Sequence, residues 1–159
     1  MMGRNKYIWQ LVLVAAFLAA AAFLGGYVQA REIVVKTNLQ QAIDGASHGD
    51  VLILTGNTYS GPLSISKSIS LLGKNLPNVA GNSEGTVINV TAPNVTIKGL
   101  RITGSGILLE TQDSGIFLNR TAEGAVVEGN ELHNNLIGIY VSGAKNSLVK
   151  RNKIVGRSD

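Results

Sequence analysis

The chain has 159 residues, with fourteen Lys and Arg against ten Asp and Glu, two histidines and no cysteine. So small an excess of positive charge argues against a nucleic-acid or membrane-surface partner. The missing thiols exclude a disulfide framework, a thiolate metal site and a lipid-modified cysteine.

Residues 1–30 read as a secretory signal peptide. Arg4 and Lys6 form a positive start, Leu11 to Leu24 is an unbroken apolar run, and Val28-Gln29-Ala30 offers small residues at cleavage spacing. Cleavage after Ala30 is expected. The competing reading is an uncleaved anchor, since Tyr7 to Val28 holds Gln10 as its one strongly polar residue and is just long enough to span a bilayer. Loss of the leader leaves residues 31–159 as one domain, with twelve cations against ten acids.

Arg31 to Val35 reads as a first strand, followed by a short helix. Asn38 with Gln41 makes a capping box, Leu39, Ala42, Ile43 and Ala46 share one face, and Gly45 and Gly49 stop the helix. An amphipathic helix ahead of a solenoid covers the open end of its core, so this one is expected to be a cap. Val51 to Leu54 is an apolar run of the kind a strand covered on both faces produces. Gly56 to Tyr59 is expected to turn the chain, and Leu63 and Ile65 to point inward after Gly61-Pro62. The polar stretch Gly73 to Gly85 reads as a surface loop.

The regular part of the chain repeats itself. Gly115-Ile116-Phe117-Leu118 returns as Gly138-Ile139-Tyr140-Val141, and Val127 to Leu132 returns as Val149 to Ile154. The two offsets agree to within one position, and their length is that of one solenoid coil. Each unit carries two short, alternating, β-branched runs rather than a helical period, and helical repeats need about 33 residues or more. The fold class expected is therefore all-β, a parallel β-helix solenoid. Ile97 to Ile102 stands further ahead of its counterpart Val127 to Leu132 than this coil length accounts for, so that coil holds an insertion, placed at Ser105 to Asp113. Gly156 to Asp159 offers no closing repeat, so the chain reads as the front portion of a longer protein.

Superposing the coils puts charges in columns. Lys98, Glu128 and Lys150 share one, Arg101, Glu131 and Lys153 a second, and Glu123 and Lys145 a shorter third. Opposite charges on neighbouring strands stabilise the pairing and help to set register. Asn130 and Asn152 share a further column, where stacked amides can bond one another at a corner. Phe117 and Tyr140 share an outward-facing one. Two stacked exposed rings suit either a partner's anchor or a surface that other residues cover.

Chemistry-bearing clusters are sparse. The offset that carries Gly115 to Gly138 sets Glu110 near His133, a weak pair with at most two metal ligands. No catalytic pair of carboxylates stacks, since the same offset aligns Asp113 with Leu136.

Several segments resemble the NosD family, periplasmic accessory proteins of nitrous oxide reductase maturation. They are Gly115-Ile116-Phe117, Glu128-Gly129-Asn130, Asn135 to Tyr140 and, above all, Asn152-Lys153-Ile154-Val155-Gly156-Arg157-Ser158. The resemblance covers most of residues 38 to 159. It implies a right-handed parallel β-helix in the periplasm, working with an ABC transporter ATPase and its membrane subunit, a copper chaperone and nitrous oxide reductase. Copper would be cargo of the full-length protein or its complex, with none bound tightly in this segment. The expected role is a docking scaffold, with Phe117, Tyr140, Arg120, Arg151 and Arg157 contacting partners and no catalytic residues. The alternative is an exported carbohydrate-active β-helix enzyme of lyase or epimerase type.

Overall fold

The computed structural model describes residues 30–157, so the expected leader, apart from Ala30, lies outside the described residues. Among the described residues no helix is long and apolar enough to cross a membrane. Fifteen strands and one helix among the described residues are arranged as a solenoid with three parallel sheets for walls. The first wall stacks β1 (Glu32–Val35), β2 (Val51–Leu54), β5 (Ser70–Gly73), β8 (Thr96–Lys98), β11 (Val126–Glu128) and β14 (Leu148–Lys150). The second stacks β3 (Thr58–Ser60), β6 (Asn78–Ala80), β9 (Arg101–Thr103), β12 (Glu131–Asn135) and β15 (Lys153–Gly156). The third stacks β4 (Leu63–Ile65), β7 (Ile88–Val90), β10 (Ser114–Leu118) and β13 (Ile137–Val141). The helix α1 (Leu39–Gly45) lies between β1 and β2, with Leu39 and Ile43 buried.

Because each coil gives one strand to each wall, equivalent residues become vertical neighbours about 4.8 Å apart. Like side chains then fill the core in columns. Leu52, Leu71, Ile97 and Val127 stack in the first wall, and Tyr59, Val79, Ile102 and Leu132 in the second. In the third, Leu63, Ile88 and Ile116 run beside Ile65, Val90 and Leu118. All these side chains are buried. At the last described coil, Val149 and Ile154 continue core columns but are 42% and 53% exposed.

The corner between the first and second walls is built the same way in the last three described coils. Gly99, Gly129 and Arg151 occupy successive levels of it, and all three have left-handed backbone, with φ of 68°, 63° and 55°. After Gly129 and Arg151 the next residue is an asparagine that turns its side chain inward to satisfy the corner. The amide of Leu100 donates to Asn130 Oδ1 at 3.0 Å, and Asn130 Nδ2 donates to the Ile97 carbonyl at 3.0 Å. One level on, the Asn130 amide and Nδ2 each donate to Asn152 Oδ1 at 3.0 Å, while Asn152 Nδ2 donates to the Val127 carbonyl at 2.9 Å. The expected asparagine ladder is present, and it serves backbone groups as much as it serves itself.

Four local expectations are corrected. The stretch 73–85 is no simple loop, because β6 lies inside it, pairs with β3 and β9 and buries Val79. Tyr59 does not turn the chain but sits in β3 with its ring in the core. Its hydroxyl donates to the Val35 carbonyl at 2.6 Å and accepts from the Gly56 amide at 2.7 Å. In β2 only Leu52 and Leu54 are buried, and Val51 and Ile53 are intermediate, so one face of the wall is open. Asn38 has φ 49° and makes no side-chain cap, so the capping box does not form.

Two variants test the columns. Ile97→Ala should cost about 2–5 kcal/mol in urea unfolding, whereas Val34→Ala, at a site 60% exposed, should change stability by less than about 0.5 kcal/mol. Asn130→Ala strands a buried amide and a buried carbonyl, so it should cost about 1–3 kcal/mol, although it removes little apolar area.

Candidate functional site

The third wall presents the most differentiated surface. Its outward column runs Ser64, Asn89, Phe117 and Tyr140. The rings of Phe117 and Tyr140 stack with centroids 5.2 Å apart and planes 27° from parallel. Both residues are half-buried. This places the expected ring pair together on the surface, where its geometry suits an offset-stacked contact. Beside Phe117 runs a groove of about 610 Å³ lined by Gln40, Ser64, Thr86, Asn89, Thr111 and Asn119, among others. Gln40 joins α1 to this wall: its Oε1 accepts from the Ser64 amide at 2.9 Å and its Nε2 donates to the Ser64 carbonyl at 3.2 Å. None of the lining residues is ionisable. The recess can therefore bind by amide, hydroxyl and ring contacts, but it supplies no acid or base.

The expected metal pair is not brought together as proposed. His133 stacks on Thr103 and Val155, because the insertion lengthens this coil, and Glu110 lies in the inserted loop rather than beneath it. The acid near His133 is Glu131, whose Oε2 lies 3.5 Å from Nε2. Among the described residues no three His, Asp or Glu side chains cluster as a metal would need. The described donors therefore do not fit a copper centre.

Of the arginines expected to meet partners, Arg120 is exposed and has no ion pair among the described residues. Arg151 Nη1 lies 3.2 Å from Glu128 Oε1, so it is paired with the first charge column while its side chain stays exposed. Arg157 donates to Asn134 Oδ1 at 3.2 Å and to the Ser105 carbonyl at 3.1 Å, which ties it to the base of the inserted loop.

Two buried polar anchors escape a reading by columns. Asp50, fully buried, accepts from the Arg31 amide, the Arg31 guanidinium and the Ser47 amide at 3.0, 2.6 and 2.8 Å. The Arg31 guanidinium, aided by those amides, holds its carboxyl well below the usual carboxylate range. Asn135 repeats the device of Asn130 at another corner, accepting from the Ser105 amide at 3.1 Å and donating to the Ile102 carbonyl at 3.0 Å. Asn135 stands as far beyond Ser105 as Leu132 stands beyond Ile102, and that shared offset is the signal that could have revealed it.

The charge columns form as expected in two cases. Glu128 stands between Lys98 at 2.9 Å and Lys150 at 3.4 Å. Glu131 meets Arg101 at 3.0 Å, with Lys153 opposite it in register. In the third column the backbone of Gly124 does bond to Lys145, but the Glu123 carboxylate accepts from Asn146 Nδ2 at 2.8 Å instead. The Lys98 ammonium, then Lys150, draws the Glu128 carboxyl below its ordinary 4.5, and the Arg101 guanidinium does the same for Glu131. A carboxylate with a lowered folded pKa contributes stability that is complete above the unfolded value and lost as pH falls through the folded one. The urea midpoint should therefore drop as pH is lowered from 4.5, and Glu128→Gln should flatten that slope while lowering the neutral-pH midpoint.

No family model matches the chain, and no solved structure matches it. It is 28% identical over 103 residues to a protein of Pseudomonas aeruginosa named "Probable ABC transporter binding protein NosD", and 25% identical over 103 residues to one of the same name from Stutzerimonas stutzeri. Each match covers 65% of this chain and 24% of the relative, so the chain spans about a quarter of the length of the curated relatives it matches. In its stacked parallel walls the chain is a parallel β-helix, and over these 103 residues its sequence is similar to that of the proteins named NosD.

Proposed function

We propose that this chain is part of a periplasmic docking scaffold that serves an ABC transporter in the maturation of nitrous oxide reductase. The observation that carries the reading is the likeness to two proteins whose names describe ABC transporter binding. The fold supports it, since in-register columns make a stiff wall on which ring and amide groups are displayed at fixed spacing. In this reading the coils wind right-handedly and α1 closes the first coil's core. The transporter's ATPase and membrane subunit, a copper chaperone and the reductase are the partners. Copper is cargo passed within the complex rather than a resident of these coils, and the pair of His133 and Glu131 gives no basis for a step through the metal.

Export belongs to the same reading. Cleavage after Ala30 would place a new ammonium at Arg31 N, the atom that lies 3.0 Å from Asp50 Oδ1. The fold's first carboxylate anchor thus stands where a mature amino terminus would need one.

Purification of the full-length protein from its own cells should bring down the ATPase and membrane subunit, with copper well below one atom per scaffold when the scaffold is isolated. Failure of both subunits to co-purify, or stoichiometric copper on the isolated scaffold, would overturn the reading. Amino-terminal sequencing should begin at Arg31, and a retained leader would show an anchored protein instead. Substituting Phe117 and Tyr140 by Ala should weaken the complex by about tenfold or more if the ring pair is a hot spot.

A further inference from the structure

Buried Asp50 draws its hydrogen bonds from an exposed residue at the start of the first wall. Its Oδ1 accepts from the Arg31 amide at 3.0 Å and from Arg31 Nε at 3.3 Å, and its Oδ2 accepts from Arg31 Nη2 at 2.6 Å and the Ser47 amide at 2.8 Å. These donors fill the lone-pair directions of a carboxylate, and all but the Ser47 amide belong to Arg31. Arg31 is also the first residue of the expected mature chain, and Ala30, on the far side of its nitrogen, is exposed.

Around this carboxylate the first rungs of the first wall are joined. The Asp50 amide donates to the Ser47 carbonyl at 3.1 Å, the Val51 amide to the Arg31 carbonyl at 2.8 Å, and the Ser70 amide to the Asp50 carbonyl at 3.0 Å. A stronger contact at Arg31 N therefore firms β1, β2 and the start of β5 together.

In the uncut chain Arg31 N is a neutral amide. Hydrolysis of the Ala30–Arg31 bond adds water across it, leaving a carboxylate on Ala30 and an ammonium on Arg31. The acceptor 3.0 Å away is already negative, so the new charge makes donor as well as acceptor ionic. Because Ala30 is exposed, the ammonium keeps water on its outer side and its desolvation cost is small. Repulsion from the Arg31 guanidinium opposes the effect. That group is 58% exposed and screened by solvent, whereas the carboxylate is fully buried and in direct contact, so attraction wins.

We propose that Asp50 is the receptor for the amino terminus that leader removal creates, so that the first coil reaches full stability only in the processed chain. This rests on the export reading above. Other ionisable groups on the elements packed here are few. Glu32 on β1 is exposed, and His48, on the loop before β2, accepts from the Ser68 amide at 3.2 Å. Asp44 accepts from Gln40 at 2.8 Å, Lys67 donates to the Ala46 carbonyl at 2.8 Å, and β2 and β5 carry no ionisable side chain. An ammonium with a raised folded pKa stabilises fully below its unfolded value and loses that contribution as pH rises through the folded one.

The test compares the mature full-length protein beginning at Arg31, the same protein acetylated at Nα, and a form beginning at Ala30. The Arg31 α-amine should titrate at about pH 9 or above rather than at the ordinary 7.7–8.0, read from the pH dependence of its acetylation rate. At neutral pH the urea midpoint of the Arg31 form should exceed that of the other two, and the gap to the acetylated form should close by about pH 10. Asp50→Asn should return the titration to the ordinary range and erase the gap. Arg31→Ala keeps the ammonium without the guanidinium, so it should retain both effects and decides the matter if Asp50→Asn does not fold. An α-amine titrating at its ordinary value, or equal midpoints for the free and acetylated forms, would sink the receptor and leave export standing. Loss of the shift in Arg31→Ala would overturn it in favour of the guanidinium alone. Protein recovered from cells with a start other than Arg31 would remove both the receptor and the export reading.

Discussion

In-register parallel stacking is the constraint from which the rest of this molecule follows. Side chains alternate between faces with a period of two, so a slip of one residue between coils would carry a whole core column into solvent. Leu71, Ile97 and Val127 remain buried only because each lies directly over the last. The same register decides which rings, amides and charges can touch. Phe117 meets Tyr140, and Glu128 meets both Lys98 and Lys150, for one geometric reason.

Apolar columns alone specify register weakly, since one aliphatic stacks on another almost regardless of identity. Polar groups sharpen the choice. Asn130 serves the Leu100 amide and the Ile97 carbonyl, and a shifted coil would leave those buried groups unpaired. Glu128 adds an electrostatic preference, because a one-residue slip against β8 would trade Lys98 for Ile97 or Gly99. Left-handed backbone at Gly99, Gly129 and Arg151 fixes where the corner falls. At Arg151 the corner is kept by a residue with a Cβ, and its guanidinium returns to Glu128 below.

The insertion between β9 and β10 shows what the stack tolerates. Strand pairing resumes at Ser114 over Ile137 with register intact, because the added residues leave the wall at one corner and return to it. Loop closure costs little for a few more residues, so a coil can grow a displayed segment without disturbing its neighbours. Asp113, Ser105 and Asn135 turn that freedom into a defined shape.

Period and column membership were legible from the residues alone, because solenoid contacts are set by spacing and the coils from Thr86 onward repeat closely. The ring pair, the asparagine ladder and two charge columns needed nothing more. β3 and β6 were hidden: each offers a single core side chain, Tyr59 and Val79, which is too little alternation to see. His133 was given the wrong neighbour because a fixed offset fails across an insertion, and the pairing of Arg151 with Glu128 was hidden because its reach runs diagonally at a corner rather than along a column. Local sequence thus determined which residues stack, since stacking follows chain length per coil. Only the folded backbone decided which side chains bridge corners, bury Asp50 or stand clear at Ile107 to Leu109, since those depend on the path of the turns in space.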